Sequence, residues 1–419
     1  MLYWLGVAAF ALAILISISL HELGHMITAK HFGMKVTKYF VGFGPTVFSF
    51  RRGETEYGLK WIPLGGFCKI VGMTPQDDDV APEDQHRAMW RYPVWKRTVV
   101  MSAGSITHFL LAVVAMWFAA VFVGLPNPAL PQDAAEQRVA PAMIGVGECV
   151  QVVIADNRPC TVGQNGDLAG PAATAGLRTG DVITAVGGRA VANYGELTDA
   201  IRASKPGPTD FAYTRGGQSG TATVDLVAAQ RAPLADPSGP VTQVAVAGIG
   251  WMTNEPVLIT YSPGGAFGAT ADYSWTVLQG TFEALQRIPE KVPALWRSIT
   301  GAERDPDTPI SVVGASRLGG EAIQRGLPEV FLMIFISLNI FIGIFNLLPL
   351  LPVDGGHIAI AWFEKARSWI YARLKKPDPG RVDYYKLMPF TYAVILVGGA
   401  FTLLTITADV INPISIFSR

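Results

Sequence analysis

The chemistry of this 419-residue chain concentrates at His21-Glu22-Leu23-Gly24-His25. Two histidines at i and i+4 share one face of a helix and reach one metal ion together. A glutamate beside them is placed to act as general base toward water. With six histidines in the chain, roughly 0.003 such matches are expected by chance. The pentapeptide follows Met1–Leu20, a run without Asp, Glu, Lys or Arg. Ionisable groups in such a run are costly, which favours a metal site over a pair of packed core histidines. A catalytic zinc takes three protein ligands and keeps one position for water. At or inside the other apolar runs the candidates for a third ligand are His108, Asp354 and His357.

The elements that carry these residues follow from composition. Charged residues make up 16 % and apolar residues 50 % of the chain, and mean hydropathy is +0.32. A soluble domain is usually about a quarter charged. Besides Met1–Leu20, the runs Val99–Val123, Val330–Val353 and Leu387–Ala408 lack charge for the length a bilayer demands. The first run has no basic n-region and no cleavage site, so it reads as a span over about Tyr3 to Ala29 and not as a signal peptide. Lys and Arg crowd segments 30–98 and 354–386 and avoid the ends. By the positive-inside rule both termini and the long segment 124–329 lie outside the cytoplasm. The 33 basic residues balance the 33 acidic ones, which gives no reason to expect nucleic acid. Three cysteines exclude a disulfide scaffold or a multi-cysteine zinc module.

Between the first two spans, Thr37–Phe50 and Thr55–Val71 are rich in aromatic and β-branched residues and flank an Arg51-Arg52-Gly53-Glu54 turn. They read as β-hairpins beside the membrane. Asp77-Asp78-Asp79 reads as a solvated loop. In the long segment, Val150–Ile154, Asp181–Val186, Asp210–Thr214 and Thr221–Val227 read as strands and Tyr194–Ala203 as a helix. Pro171-Ala-Ala-Thr-Ala-Gly-Leu-Arg-Thr-Gly-Asp-Val-Ile resembles the core of a PDZ domain, a fold that takes extended peptides along a sheet edge. Ala266–Ile288 and Val292–Ile299 read as amphipathic helices interrupted at Pro289 and Pro293, with Tyr273, Trp275, Phe282, Leu285 and Trp296 facing either the membrane surface or the sheet. Cys149 and Cys160 flank a strand and an Asp156-Asn-Arg-Pro turn, which folds the two ends together. A Cys149–Cys160 disulfide is expected in an oxidising compartment, while Cys68 stays reduced.

The combination of HExxH in the first span, Val41-Gly-Phe-Gly-Pro, a PDZ-like domain and Asn346-Leu-Leu-Pro349-Leu-Leu-Pro-Val-Asp354-Gly-Gly resembles the site-2 protease family of intramembrane zinc metalloproteases. Ile62-Pro-Leu-Gly-Gly-Phe, Thr308-Pro-Ile-Ser-Val-Val-Gly and Thr405-Ile-Thr-Ala-Asp look like actinobacterial members in particular. The resemblance implies that Asp354 is the third zinc ligand beside His21 and His25, and that Glu22 is the base that takes a proton from water and returns it to the leaving amine. It implies that Asn346 and Pro349 lie along the substrate path. The hairpin near Gly42, Gly44 and Phe50 offers an edge for the unwound substrate. The family's Gly-Pro-x-x-Asn is Gly104-Ser-Ile-Thr-His108 here, so His108 stands either as a polar bridging residue or near the metal.

The expected fold class is a multi-pass α-helical membrane protein of four spans, with membrane-associated β-hairpins and an extracytoplasmic α+β PDZ domain. The boundaries read as 1–33 for the first span, 34–97 for the hairpin loop, 98–124 for the second span and 135–230 for the PDZ domain. An amphipathic segment covers 231–327, a third span with the Asp-Gly motif 328–356, and a fourth span 387–411. The expected function is zinc-dependent cleavage within the membrane spans of single-span proteins, anti-sigma factors among them, after a first extracytoplasmic cut. The PDZ domain would bind peptide termini and gate access. The partners are those substrates and the lipid bilayer of a bacterial plasma membrane, with the active site toward the cytoplasmic side. Two rival classes are a non-enzymatic PDZ scaffold with structural zinc, which would need a closed four-ligand site, and a metal or ion transporter, which would call for inverted repeats.

Overall fold

A computed structural model describes residues 1–74, 77, 80–131, 133–153, 160–232, 241–302, 304–305 and 307–415. The described chain forms two compact units, Met1–Gly124 with Thr260–Ser415, and Leu125–Ile259. Asp78, Asp79 and the Asp156-Asn-Arg-Pro turn lie outside the described residues.

The first unit is helical. Four helices are long and apolar enough to cross a membrane: Leu2–His31, Val94–Phe122, Pro328–Asn346 and Tyr384–Ile411. In α1 (Leu2–His31), Gly6, Phe10, Ile14, Ser17, His21 and His25 recur every three or four residues and make one buried stripe. Leu5, Leu12, Ile16 and Ile27 are exposed. This helix is therefore apolar all round yet carries its polar groups on the inner face, the pattern of a helix bathed in lipid. In α2 (Val94–Phe122) the inner stripe is Val100, Gly104, His108, Ala112, Met116 and Ala119.

The chain between α1 and α2 forms β1 (Val36–Arg52) and β2 (Thr55–Ile70). Tyr39, Phe40 and Val41 pair with Cys68, Phe67 and Gly66, and also with Tyr57, Gly58 and Leu59. Beyond the bend at Gly42 and Gly44, both at positive φ, Phe48 to Arg52 pair with Leu59 to Thr55. Each long strand thus folds back on itself, and among the described residues Thr46–Arg52 is paired on one side only. Val47, Phe48 and Phe50 on that edge are exposed. The base of the sheet is pinned by Arg87, whose guanidinium donates to both carboxylate oxygens of Glu54.

The remaining helices of this unit are α3 (Ala266–Ile299), α4 (Val312–Gln324), α5 (Pro328–Asn346), α6 (Asp354–Arg373) and α7 (Met388–Ile411). Three differ from the sequence reading. First, α3 runs unbroken through Pro289 and Pro293, both exposed, and buries Ala266 and Thr270 near its start and Leu295 and Ser298 near its end. Phe267, Trp275, Phe282 and Trp296 remain exposed. Second, α5 stops at Asn346, and Asp354 opens a separate helix. The turn 347–353 folds over the start of α6 so closely that a Cβ at Gly355 would collide with the carbonyls of Leu347 and Leu348. Third, α4 was not read from the sequence. Its N-cap, Ser311, and Asp409 of α7 explain two motifs noted above. Asp409 accepts from Ser311 N and Oγ, each at 2.6 Å, and pairs with the buried Arg304 at 2.7 Å.

The second unit carries a five-stranded antiparallel sheet ordered Thr242–Val246, Gln218–Arg231, Gly207–Arg215, Val182–Val186, Arg189–Ala190. The helix Tyr194–Ala203 covers it, and the side chain of Asn193 caps that helix by accepting from Glu196 N. Phe211, Leu226, Val224, Ile183 and Leu197 form the core. Strands 242–246 and 249–251 extend this unit beyond the boundary read at 230. Of the described residues in the strand read at Val150–Ile154, Val150 alone pairs in a ladder, where Cys149–Val150 runs opposite Leu168–Ala169. Cys149 and Cys160 are joined, with Cα atoms 5.9 Å apart.

Asp181 is buried and receives both Nε and Nη2 of Arg215 at 2.7 Å and the N–H of Arg178 at 2.8 Å. Burial raises the pKa of its carboxyl group, but these donors outweigh it and hold the group below the usual carboxylate range. The pair therefore stabilises fully above the unfolded carboxyl's pKa of about 3.9, and the contribution fades as pH falls through the lower folded value. Asp181→Asn should cost about 2–4 kcal/mol at pH 7 and less near pH 2, read as urea midpoints of the sheet signal at both pH values. In protein from an oxidising compartment, peptide mapping without reductant should recover Cys149 linked to Cys160. The closed loop should contribute about 2–3 kcal/mol, lost on reduction.

Candidate metal centre

The site is built where α1, α2 and α6 meet. His21 and His25 project from one face of α1, as their spacing requires, and are 7 % and 6 % exposed. Their Nε2 atoms lie 3.1 Å apart. Asp354 Oδ2 stands 3.3 Å from each of them. Donors held at about 2.0–2.1 Å from a tetrahedral zinc lie about 3.3–3.4 Å from one another, so this near-equilateral triangle fits zinc. The donor chemistry fits too. Nδ1 of His25 is 2.7 Å from the carbonyl of Val100. A carbonyl only accepts, so Nδ1 holds the proton and Nε2 turns a lone pair toward the carboxylate. Two acceptors facing each other at 3.3 Å call for a positive charge between them.

The backbone makes this convergence possible. Glycines occupy the closest approaches of α1 to α2. A Cβ at Gly24 would stand 2.7 Å from Ala103 O, and one at Gly104 would strike His21 Cε1 and stand 2.5 Å from His25 Nε2. Asp354 sits in the first turn of α6, where the helix dipole favours a carboxylate. Helix α6 is held against α2 by the buried pair Arg97–Glu364 at 3.2 Å and by Trp362 Nε1 donating to Thr98 Oγ1. The second oxygen of Glu364 accepts from Val382 N at 2.9 Å.

Of the three candidates for a third donor, the structure brings Asp354 to the histidine pair. His357 instead stacks on Tyr384, with its Nδ1 3.4 Å from the phenol oxygen. His108 points its Nδ1 at Asn339 and Ser17. Glu22, beside the histidines, faces the backbone N–H of Cys68 in β2. Gly66 of the same strand lies so close that a Cβ there would touch Glu22 Cγ at 3.4 Å. Asn346 ends α5, Pro349 falls in the turn toward Asp354, and neither adds an atom to the donor triangle. The space beside Gly42 is filled by the Ile62 and Lys60 carbonyls. Sequence reasoning missed Gly66, Gly104, Ser17 and Asn339. The double glycine of Pro63-Leu-Gly-Gly and Ser17, four residues before His21 on α1, were the available signals.

A family profile, Peptidase family M50, matches residues 9–376. Zinc metalloprotease Rip1 of Mycolicibacterium smegmatis is 43 % identical over the full length of both chains. Rip1 of Mycobacterium tuberculosis is 41 % identical, again over both full lengths. A putative zinc metalloprotease of Clostridium perfringens is 26 % identical over 97 % of each chain. The matched span runs from α1 through α6 and takes in both histidines and Asp354 alike, and the chain belongs to peptidase family M50, the site-2 proteases.

Proposed function

We propose that this protein is an intramembrane zinc metalloendopeptidase. It cleaves peptide bonds within the membrane spans of single-span proteins. The observation that carries the reading is the triangle of His21, His25 and Asp354 with Glu22 beside it, set among helices long and apolar enough to cross a membrane. Zinc held by those three side chains would polarise a carbonyl and acidify water. Glu22 accepts the proton from water and delivers it to the leaving amide nitrogen. The Cys68 N–H faces its carboxylate. Val100 fixes the ring of His25.

A helical substrate hides its carbonyls in its own hydrogen bonds, so it must unwind before attack. The sheet formed by β1 and β2 supports this step. Its free edge along Thr46–Arg52 can take an added strand, and its other end, at Gly66–Cys68, lies against Glu22. Asn346 and Pro349 border the turn that delivers Asp354, which suits a place on the substrate path. The Lys- and Arg-rich segments 30–98 and 354–386 orient both termini and residues 125–259 away from the cytoplasm, with the catalytic residues nearer the cytoplasmic side. The sequence 171–183 and the sheet-and-helix unit around it suit a PDZ domain that excludes substrates until a first protease has trimmed them. Anti-sigma factors are substrates of that kind.

Three measurements test this. In purified protein, Glu22→Gln should keep stoichiometric zinc and lose about 10²–10⁴-fold in cleavage of a membrane-span peptide. A scaffold or a transporter would lose nothing with that change. Asp354→Asn and His21→Ala should lose zinc along with activity, and full activity of Asp354→Asn would remove it as a ligand. Replacing residues 128–256, the whole second unit inside its closing strands, with a short linker should preserve cleavage of a substrate already trimmed and admit an untrimmed one. Loss of both activities would contradict gating.

A further inference from the structure

The two histidines of the triangle differ in their outer surroundings. His25 donates its Nδ1 proton to Val100 O. His21 Nδ1 is buried without a hydrogen-bond partner among the described residues. A histidine that binds a metal almost always donates its other N–H to a fixed acceptor, which sets the ring's orientation and strengthens the donor atom. An acceptor for His21 is therefore expected nearby.

His108 is one helical turn beyond Gly104 on α2, and Gly104 touches His21. The ring centres of His108 and His21 are 5.0 Å apart, with their planes inclined at 45°. Two imidazoles joined by an N–H···N bond of about 2.9 Å have ring centres about 5 Å apart. The far side of His108 settles which nitrogen is free. Asn339 Nδ2 donates to Phe335 O at 2.9 Å, so its Oδ1 is the atom turned to the interior. Ser17 Oγ donates to that oxygen, and His108 Nδ1 lies 2.9 Å from it. An amide oxygen cannot donate. The proton of His108 thus sits on Nδ1, and Nε2 keeps a lone pair.

We propose that His108 is a positioning residue for the metal centre, its Nε2 accepting the Nδ1 proton of His21 when zinc is bound. The inference rests on the reading of His21, His25 and Asp354 as zinc ligands. A relay of acceptors then runs from α5 through α2 to α1: Asn339 sets the tautomer of His108, and His108 sets that of His21. It gives a physical sense to the departure at this position, where the family pattern has Asn. An Asn side-chain oxygen accepts the same bond without needing a tautomer.

The test uses the full-length protein in detergent, with zinc affinity measured by chelator competition and the cobalt-loaded protein followed by its visible absorption. His108→Leu should weaken zinc binding about 10–100-fold and shift the cobalt bands, while His108→Asn should stay within about threefold of the wild type. Zinc affinity and cobalt bands of His108→Leu equal to the wild type would overturn the proposal. So would a His108→Asn protein as weak as His108→Leu. If His108→Leu does not accumulate, the double variant Ser17→Ala with Asn339→Leu carries the test, since it leaves His108 in place without either group that faces its Nδ1. Weakened zinc binding supports the relay, and unchanged binding overturns it. A wild type that takes up no zinc would defeat the ligand assignment itself, which separates that failure from a failure of His108 alone.

Discussion

Charged and polar groups inside an apolar helix cluster must find partners there, because no water competes to satisfy them. Most of the helical unit can be understood as the solution to that constraint at three donor atoms. Two come from α1 and one from α6, and they must meet within about 3.3 Å. The helices can approach this closely only where they lack side chains, hence Gly24 and Gly104 at the contact. Asp354 must arrive from a chain reversal, hence the prolines of the turn and the glycines that let it fold onto α6. The buried Arg97–Glu364 pair then ties α6 to α2. Breaking one partner of such a pair leaves an uncompensated charge, so it fixes the arrangement more strongly than its net stabilisation suggests.

The same constraint recurs at two other depths. Ser17, His108 and Asn339 satisfy one another between α1, α2 and α5. Arg304, Ser311 and Asp409 do so between the α3–α4 connection and α7. A Cβ at Gly314 would stand 2.5 Å from Asp409 Oδ2, so the glycine of Thr308-Pro-Ile-Ser-Val-Val-Gly is needed to admit the carboxylate of Thr405-Ile-Thr-Ala-Asp. Two motifs about a hundred residues apart are thereby halves of one contact. Otherwise α7 is largely exposed, and this cluster is its main anchor.

The small sheet between α1 and α2 reaches the site by its backbone. One strand brings the Cys68 N–H to face Glu22, and among the described residues the opposite edge has no partner strand. A sheet with one edge at the base and another open is suited to hold an extended chain in reach of the donor triangle. Exposed Phe48, Phe50 and Trp61 are tolerable there only beside lipid or another apolar surface.

Much of this was legible in the sequence because it depends on local spacing. His21 and His25 share a face by helical geometry alone, Glu22 sits beside them by adjacency, and charge-free runs announce the four long helices. The alternating strands and the capped helix Tyr194–Ala203 follow from local pattern in the same way. What spacing cannot decide is which distant residue closes the triangle. His108, Asp354 and His357 were equivalent candidates by composition. The choice was made by the turn 347–353, which aims Asp354 inward, while Tyr384 holds His357 and Asn339 holds His108. The continuity of α3 through two prolines likewise runs against local propensity and was not legible in the sequence. Contacts between residues far apart in the chain carry no periodic signature, and only the tertiary structure brings them together.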